Sequence, residues 1–202
     1  MNEVPDGKMR RGDTRAHLLE AVAGLLEERG IEAVTLRAVG ERAGVSRQAP
    51  YKHFADKGEL LSVLAARYFE RLAEEMISAA EEAEGTPFGR LEAMLEAYAQ
   101  VALASPARYR LMFGSEVRRR PYPEVHEAAR GLYGRLVGVV AECQETGKLR
   151  GGDPVGLAAL LYATVHGAVD LALARHAGEG EKGLGDPLAI VRSLLAHLSD
   201  GP

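Results

Sequence analysis

Apolar residues recur at three- and four-residue steps along nearly the whole chain, and no stretch alternates apolar and polar positions between hairpin-type turns. This pattern predicts an all-α protein of about nine helices. One stripe, Leu18, Leu19, Val22, Leu25 and Leu26, closes at Arg29-Gly30, where a helix-ending glycine belongs. A second, Leu60, Leu61, Leu64, Tyr68, Leu72 and Met76, lies in a helix from about Asp56 to about Ala83. Gly85, Pro87 and Gly89 interrupt it, and Leu91, Met94, Leu95, Tyr98, Val101 and Ala102 resume the period. Ser105-Pro106 starts a short helix through Met112, and Pro121 and Pro123 open a longer one with Val125, Leu132, Leu136 and Val140 that stops at Gly147.

Residues 157–174 are apolar around most of the helix and nearly long enough to span a bilayer. His166 and Asp170 inside the run are costly at mid-bilayer, and no basic flanks anchor it, so a helix buried on two sides is expected and no membrane partner. Residues 187–198 add another apolar series. Two such helices facing their copies in a symmetry mate form a four-helix dimer interface built from Leu160, Leu161, Leu188, Val191, Leu194, Leu195 and Leu198. The alternative is that both helices close a monomeric core.

The region 35–54 reads as a helix-turn-helix. Thr35 caps a short helix with Leu36, Val39 and Ala43 inward, Gly44 supplies a positive φ at the corner, and Val45 plugs the angle between helices. Ser46 is placed to cap a second helix from Arg47 to about His53. Arginine and glutamine at its front are the side chains that bond bidentately to guanine and adenine edges, and Tyr51 and Lys52 are of types that reach phosphates. An arm with Lys8, Arg10 and Arg11 precedes the first helix, of the kind that lies along phosphates or enters a minor groove. An ordinary helical corner with a polar outer face would share much of this pattern.

The head resembles the TetR family of transcriptional regulators over about Thr14 to Leu61. The resemblance rests on Ala33-Val34-Thr35-Leu36, Ala43-Gly44-Val45-Ser46, Tyr51-Lys52-His53-Phe54 and Lys57-Gly58-Glu59-Leu60-Leu61. It implies Thr35, Tyr51, His53 and Lys57 as phosphate contacts, and Arg47, Gln48 and Lys52 as base readers on a double-stranded operator. Two departures stand out: Gly40 where alanine is usual, and Pro50 in the first turn of the recognition helix. Further along, Tyr162-x-x-x-His166-Gly167 is similar to a Trp-x-x-x-His-Gly signature of one C-terminal subgroup, with Tyr in place of Trp. The family resemblance further implies a body that dimerises through its last two helices, holds a small organic effector, and represses. The implied layout is an arm at 1–12, a DNA-binding domain at 13–55 and an effector-binding and dimerisation domain at 56–202.

Charge sharpens this division. The chain of 202 residues carries −4 overall, yet residues 8–55 hold nine basic and six acidic residues, a net of +3, and 61–202 sum to −4. In the body, Tyr98, Tyr109, Met112, Phe113, Tyr122, Tyr133, Tyr162 and His166 supply the apolar walls and polar tips of a small-molecule pocket. Asp170, one turn after His166, either joins that pocket or pairs with the histidine near the interface. No hydrolase elbow, zinc-peptidase motif or Walker loop is present, and the six histidines show no spacing of a shared metal site, so neither enzyme, metal nor cofactor is expected. Gly178-x-Gly180-x-x-Gly183 matches a dinucleotide fingerprint only literally, since a helix rather than a strand precedes it. The single cysteine, Cys143, forms no intrachain disulfide, and the first residues contain no apolar run of signal-peptide length, which together point to the cytoplasm. A carrier whose basic head docks an acidic protein is the non-DNA alternative. It would lack a sequence-specific, salt-dependent affinity for DNA.

Overall fold

The computed structural model describes residues 11–83, 85–118, 122–174 and 186–199. They form ten α-helices and no strand: α1 (Arg11–Arg29), α2 (Leu36–Arg42), α3 (Ala49–His53), α4 (Lys57–Glu82), α5 (Pro87–Ala104), α6 (Pro106–Phe113), α7 (Ser115–Arg118), α8 (Pro123–Glu145), α9 (Pro154–Leu173) and α10 (Pro187–Ser199). A 3-10 turn, Ile31–Ala33, joins α1 to α2, and all the helices but α7 exceed a single turn. The all-α architecture is the one expected from the periodicity.

Local chemistry sets the helix ends. Five helices open on proline, whose missing N–H falls where no intrahelical partner exists. Side-chain oxygens of Thr35, Asp56, Thr86 and Asp153 cap α2, α4, α5 and α9. At the corner after α2, Gly44 (φ 65) lets Val45 N–H bond to Gly40 O at 3.1 Å and Gly44 N–H to Glu41 O at 3.3 Å, a Schellman closure. Gly147 (φ 71) ends α8 in the same way.

The recognition helix starts later than expected. Ser46 does not cap it. Gln48 occupies the N-cap without a side-chain bond, and Arg47 and Gln48 lie in a turn. The reason is Pro50, which has no N–H to give Ser46 O, so Ala49 N–H takes that carbonyl at 2.9 Å and the turn stays tight. The two departures from the family pattern meet in space. A Cβ built on Gly40 would lie 3.0 Å from Cγ of Pro50, so the bare glycine is what seats the proline ring against α2.

The head, α1 to α3, and the bundle, α4 to α10, share one continuous core from Leu18 to Leu195. The first helix takes in Arg11 and Gly12, which the expected layout gave to the arm, and Asp13 in its first turn complements the helix dipole. Helix α4 crosses from head to bundle and packs on α1, α5, α6, α7 and α8. Lys57 in its first turn donates to Ile31 O at 2.8 Å, tying the bundle back to the head. Helix α9 is long and apolar enough to cross a membrane, and it packs instead against α5, α8 and α10.

Candidate nucleic-acid interface and ligand cavity

The front of the head presents the expected readers. Arg47, Gln48, Tyr51 and Lys52 are all exposed, Tyr51 by 59% despite its size. Thr35 is exposed too, but its Oγ1 already accepts Ala38 N–H at 3.1 Å, leaving the hydroxyl hydrogen to donate outward. His53 is half-buried and tilted against the Phe54 ring. Lys57 is half-buried with one N–H committed to Ile31 O. Arg37 was not singled out from the sequence. It sits on the outer face of α2 within electrostatic reach of Tyr51, paired at 2.8 Å with Glu41, which is held below the usual carboxylate range by that partner. Lys8, Arg10 and the Arg11 side chain lie outside the described residues, as does the Gly178–Gly183 fingerprint.

Behind the head, α4 to α9 enclose a cavity of about 630 Å³. Seven of the expected residues line it: Tyr98, Met112, Phe113, Tyr122, Tyr133, Tyr162 and His166. Its inner end is an aromatic knot. His166 Nδ1 lies 2.8 Å from the Tyr98 hydroxyl and 2.9 Å from that of Tyr109, which also donates to His166 O at 3.3 Å, while Tyr162 stacks on the imidazole at 5.5 Å and Phe113 meets it edge-on at 4.6 Å. The Asp170 carboxylate faces Nε2 at 3.8 Å, which favours the proton on that nitrogen and leaves Nδ1 as acceptor. Two expected residues are not in the cavity wall. Tyr109 stands behind His166, and Asp170 reaches the solvent-facing side of the imidazole, its carboxylate largely exposed.

The sequence did not single out Arg130 and His126. They lie one turn apart on α8, both exposed, where the cavity meets solvent. The signal was the column His126, Arg130, Tyr133 at helical spacing beside Val125, Leu132 and Leu136. Tyr122, at the head of α8, lines the same cavity and brings its hydroxyl against α4. A Cβ on Gly58 would be 2.9 Å from it.

Burial raises the phenols of Tyr98, Tyr109 and Tyr162, and pushes the Cys143 thiol up to about 11. Each folded-state pKa exceeds its unfolded value, so the stability is fully present below the unfolded pKa and is lost as pH rises through it toward the folded pKa. Urea midpoints are therefore expected to fall from about pH 9 upward, the usual thiol and phenol range. In Tyr98→Phe this alkaline decline is expected to be shallower, with about 1 kcal/mol lost at neutral pH with the hydroxyl's bond. Parallel pH slopes for the two proteins would show that Tyr98 contributes nothing to it.

The expected interface leucines divide by face. Leu161, Val191 and Leu195 are each 1% exposed and turn into the protomer's own core, since α9 and α10 pack on each other and on α5 through that side. They are corrected to core residues. Leu160 is 64% exposed, and Leu188, Leu194 and Leu198 are half-buried. Val155 and Leu171 join Leu160 as exposed apolar residues of α9.

Two family models match stretches of the chain. Residues 18–64 match the model of bacterial regulatory proteins of the tetR family. Residues 91–198 match that of the tetracyclin repressor-like C-terminal domain. The HTH-type transcriptional repressor KstR of Mycolicibacterium smegmatis is 36% identical over 95 residues, 47% of this chain and 46% of that one, so the match spans under half the repressor. The HTH-type transcriptional regulator TtgR of Pseudomonas putida is 27% identical over 168 residues, 78% of this chain and 79% of that one. A solved protein of unknown function from Rhodococcus sp. RHA1 superposes with a TM-score of 0.81 at 32% identity, covering 97% of both chains.

Proposed function

The chain belongs to the TetR family of bacterial regulatory proteins, and on that premise we propose that it is a homodimeric repressor released from a palindromic operator by a small organic effector. The observation that carries this reading is the exposed front of the head: Arg47 and Gln48 stand exposed just ahead of α3, on a corner closed by Gly44. Arg47, Gln48 and Lys52 would read base edges, and Thr35, Tyr51, His53 and Lys57 would hold phosphates, with Lys8, Arg10 and Arg11 reaching further along the backbone. The layout is an arm, a reading head and a sensing body, working in the cytoplasm where the DNA is.

Dimerisation would use the outward strip of α9 and α10, Leu160 with Leu188, Leu194 and Leu198. It would set the two recognition helices about 34–36 Å apart, one DNA turn. The effector would occupy the α4–α9 cavity. Tyr162 and His166 there, with Gly167 next in the chain, support membership of the Trp-x-x-x-His-Gly subgroup, with tyrosine stacked where that signature has tryptophan. Release follows if the ligand prefers the body conformation in which the heads are misplaced. Tyr122, between cavity and Gly58, is the contact through which α4 would feel the ligand.

The test is selection of genomic fragments by the purified protein, followed by footprinting and titration at two salt concentrations. A palindrome bound by a dimer, with affinity falling steeply with salt, is the expected result. Failure to enrich any sequence, from protein stripped of bound ligand, overturns the reading.

A further inference from the structure

We propose that the effector is an apolar organic acid whose carboxylate is held by Arg130 and His126 at the cavity mouth, its hydrocarbon body filling the space among Phe69, Met76, Leu95 and Leu132. The proposal takes the regulator reading as its premise in calling this ligand an effector, and deepens it by naming the ligand's charge and orientation.

The charge pattern of the wall points this way. The chain as a whole is acidic, yet none of the residues lining the cavity is, and the two ionisable groups at its mouth are both basic. Arg130 has no carboxylate within ion-pair distance among the described residues. Among the described residues only its Nε is engaged, in a long 3.3 Å bond to His126 O on its own helix, which leaves both terminal amino groups for a planar acceptor. Glu127, one turn back on α8, forms no ion pair with it.

The polar groups farther in are already committed. Tyr98 bonds His166 Nδ1 at 2.8 Å, and Tyr133 donates to Val155 O at 2.8 Å. A ligand reaching the inner end therefore meets phenyl and alkyl surface with its polar tips turned into protein–protein bonds. That is a site for hydrocarbon, with one place for charge at the rim. About 630 Å³ lies within the range that encloses most of an organic ligand of moderate size. The rim position also lets the acid keep part of its hydration, so guanidinium and carboxylate avoid the full cost of burying an ion pair.

Dodecanoate, dodecanol and dodecylammonium share one hydrocarbon chain and differ only in the charge of the end. Their binding to the full-length protein would be measured by calorimetry below their critical micelle concentrations. Dodecanoate is expected to bind at least about tenfold tighter than dodecanol, with the ammonium weakest. In Arg130→Gln the acid is expected to fall to the level of the alcohol, with alcohol affinity unchanged, and Arg130→Lys is expected to keep most of the preference. Because Arg130 is exposed, neither variant removes core packing, and unchanged alcohol binding reports an intact cavity. The proposal is overturned if alcohol or ammonium binds as tightly as the acid, if the preference survives Arg130→Gln, or if none of the three binds. Operator binding measured on the same samples separates the two readings. Intact, sequence-specific DNA binding without an acid preference sinks only this proposal, whereas acid preference without operator binding sinks the regulator reading instead.

Discussion

Phe54→Ala is expected to cost about 3–5 kcal/mol of stability, the usual penalty for emptying a buried phenylalanine site. Phe54 is 1% exposed and sits where α1, α3 and α4 meet, with its own N–H bonded to Pro50 O at 2.9 Å and the Arg15 guanidinium 5.3 Å above its ring. Its removal opens a void between the recognition helix and the long helix that carries the head. For a chain of this size the melting temperature should drop by roughly 6–20 °C. Thermal and urea unfolding followed by circular dichroism measure it, with exposed Tyr51→Phe as a comparison expected to stay within about 0.5 kcal/mol of the parent. A loss under about 1 kcal/mol would mean that the head does not depend on this contact for its packing.

Arg47→Ala is expected to weaken operator binding by about 1–3 kcal/mol per half-site, tenfold or more for each, and to relax discrimination at one base-pair position. The prediction rests on the exposed guanidinium in the turn just ahead of the recognition helix. Tyr51→Phe serves as the contrast. Loss of a phosphate-directed hydroxyl should lower affinity by a similar factor on every operator variant and leave base preference as it was. Titration of both proteins against a set of single-position operator variants distinguishes the two roles. An Arg47→Ala profile that is lower but unchanged in shape would remove Arg47 from the base readers and make it a backbone contact.

Helix boundaries were legible because their signals are local. Asp56 and Ala83 bracket α4 as expected, and Gly30, Gly44 and Gly147 end or turn helices in the left-handed region that glycine alone enters cheaply. The start of the recognition helix was not, because Ser46 is a good cap by residue type while the decisive fact is a bond that Pro50 four residues on cannot make. The interface leucines show a second limit. On α9, apolar around most of its circumference, and on its neighbour α10, periodicity cannot say which apolar face meets the protomer's own core, and the structure assigned Leu161, Val191 and Leu195 to the inside. In the cavity, aromatic residues announced themselves by type. Arg130 and His126 did not, since a charge on an amphipathic helix reads as solvated face until the opposing helices show what opens beside it. Asp170 had two readings, pocket wall or partner of His166, and spacing alone could not choose between them; the carboxylate stands 3.8 Å from the imidazole and outside the cavity lining.

The contact between Gly40 and Pro50 constrains the order in which this head can change. Alanine in place of a helical glycine ordinarily gains about 1 kcal/mol. Here the added methyl meets a proline ring that must yield by a few tenths of an ångström, so the gain appears in full only in a background that has already lost the proline. Each position thus sets whether a change at the other helps or harms. Descendants of this sequence can reach the alanine form of α2 by giving up Pro50 first, and with it the late start of the helix that faces the DNA.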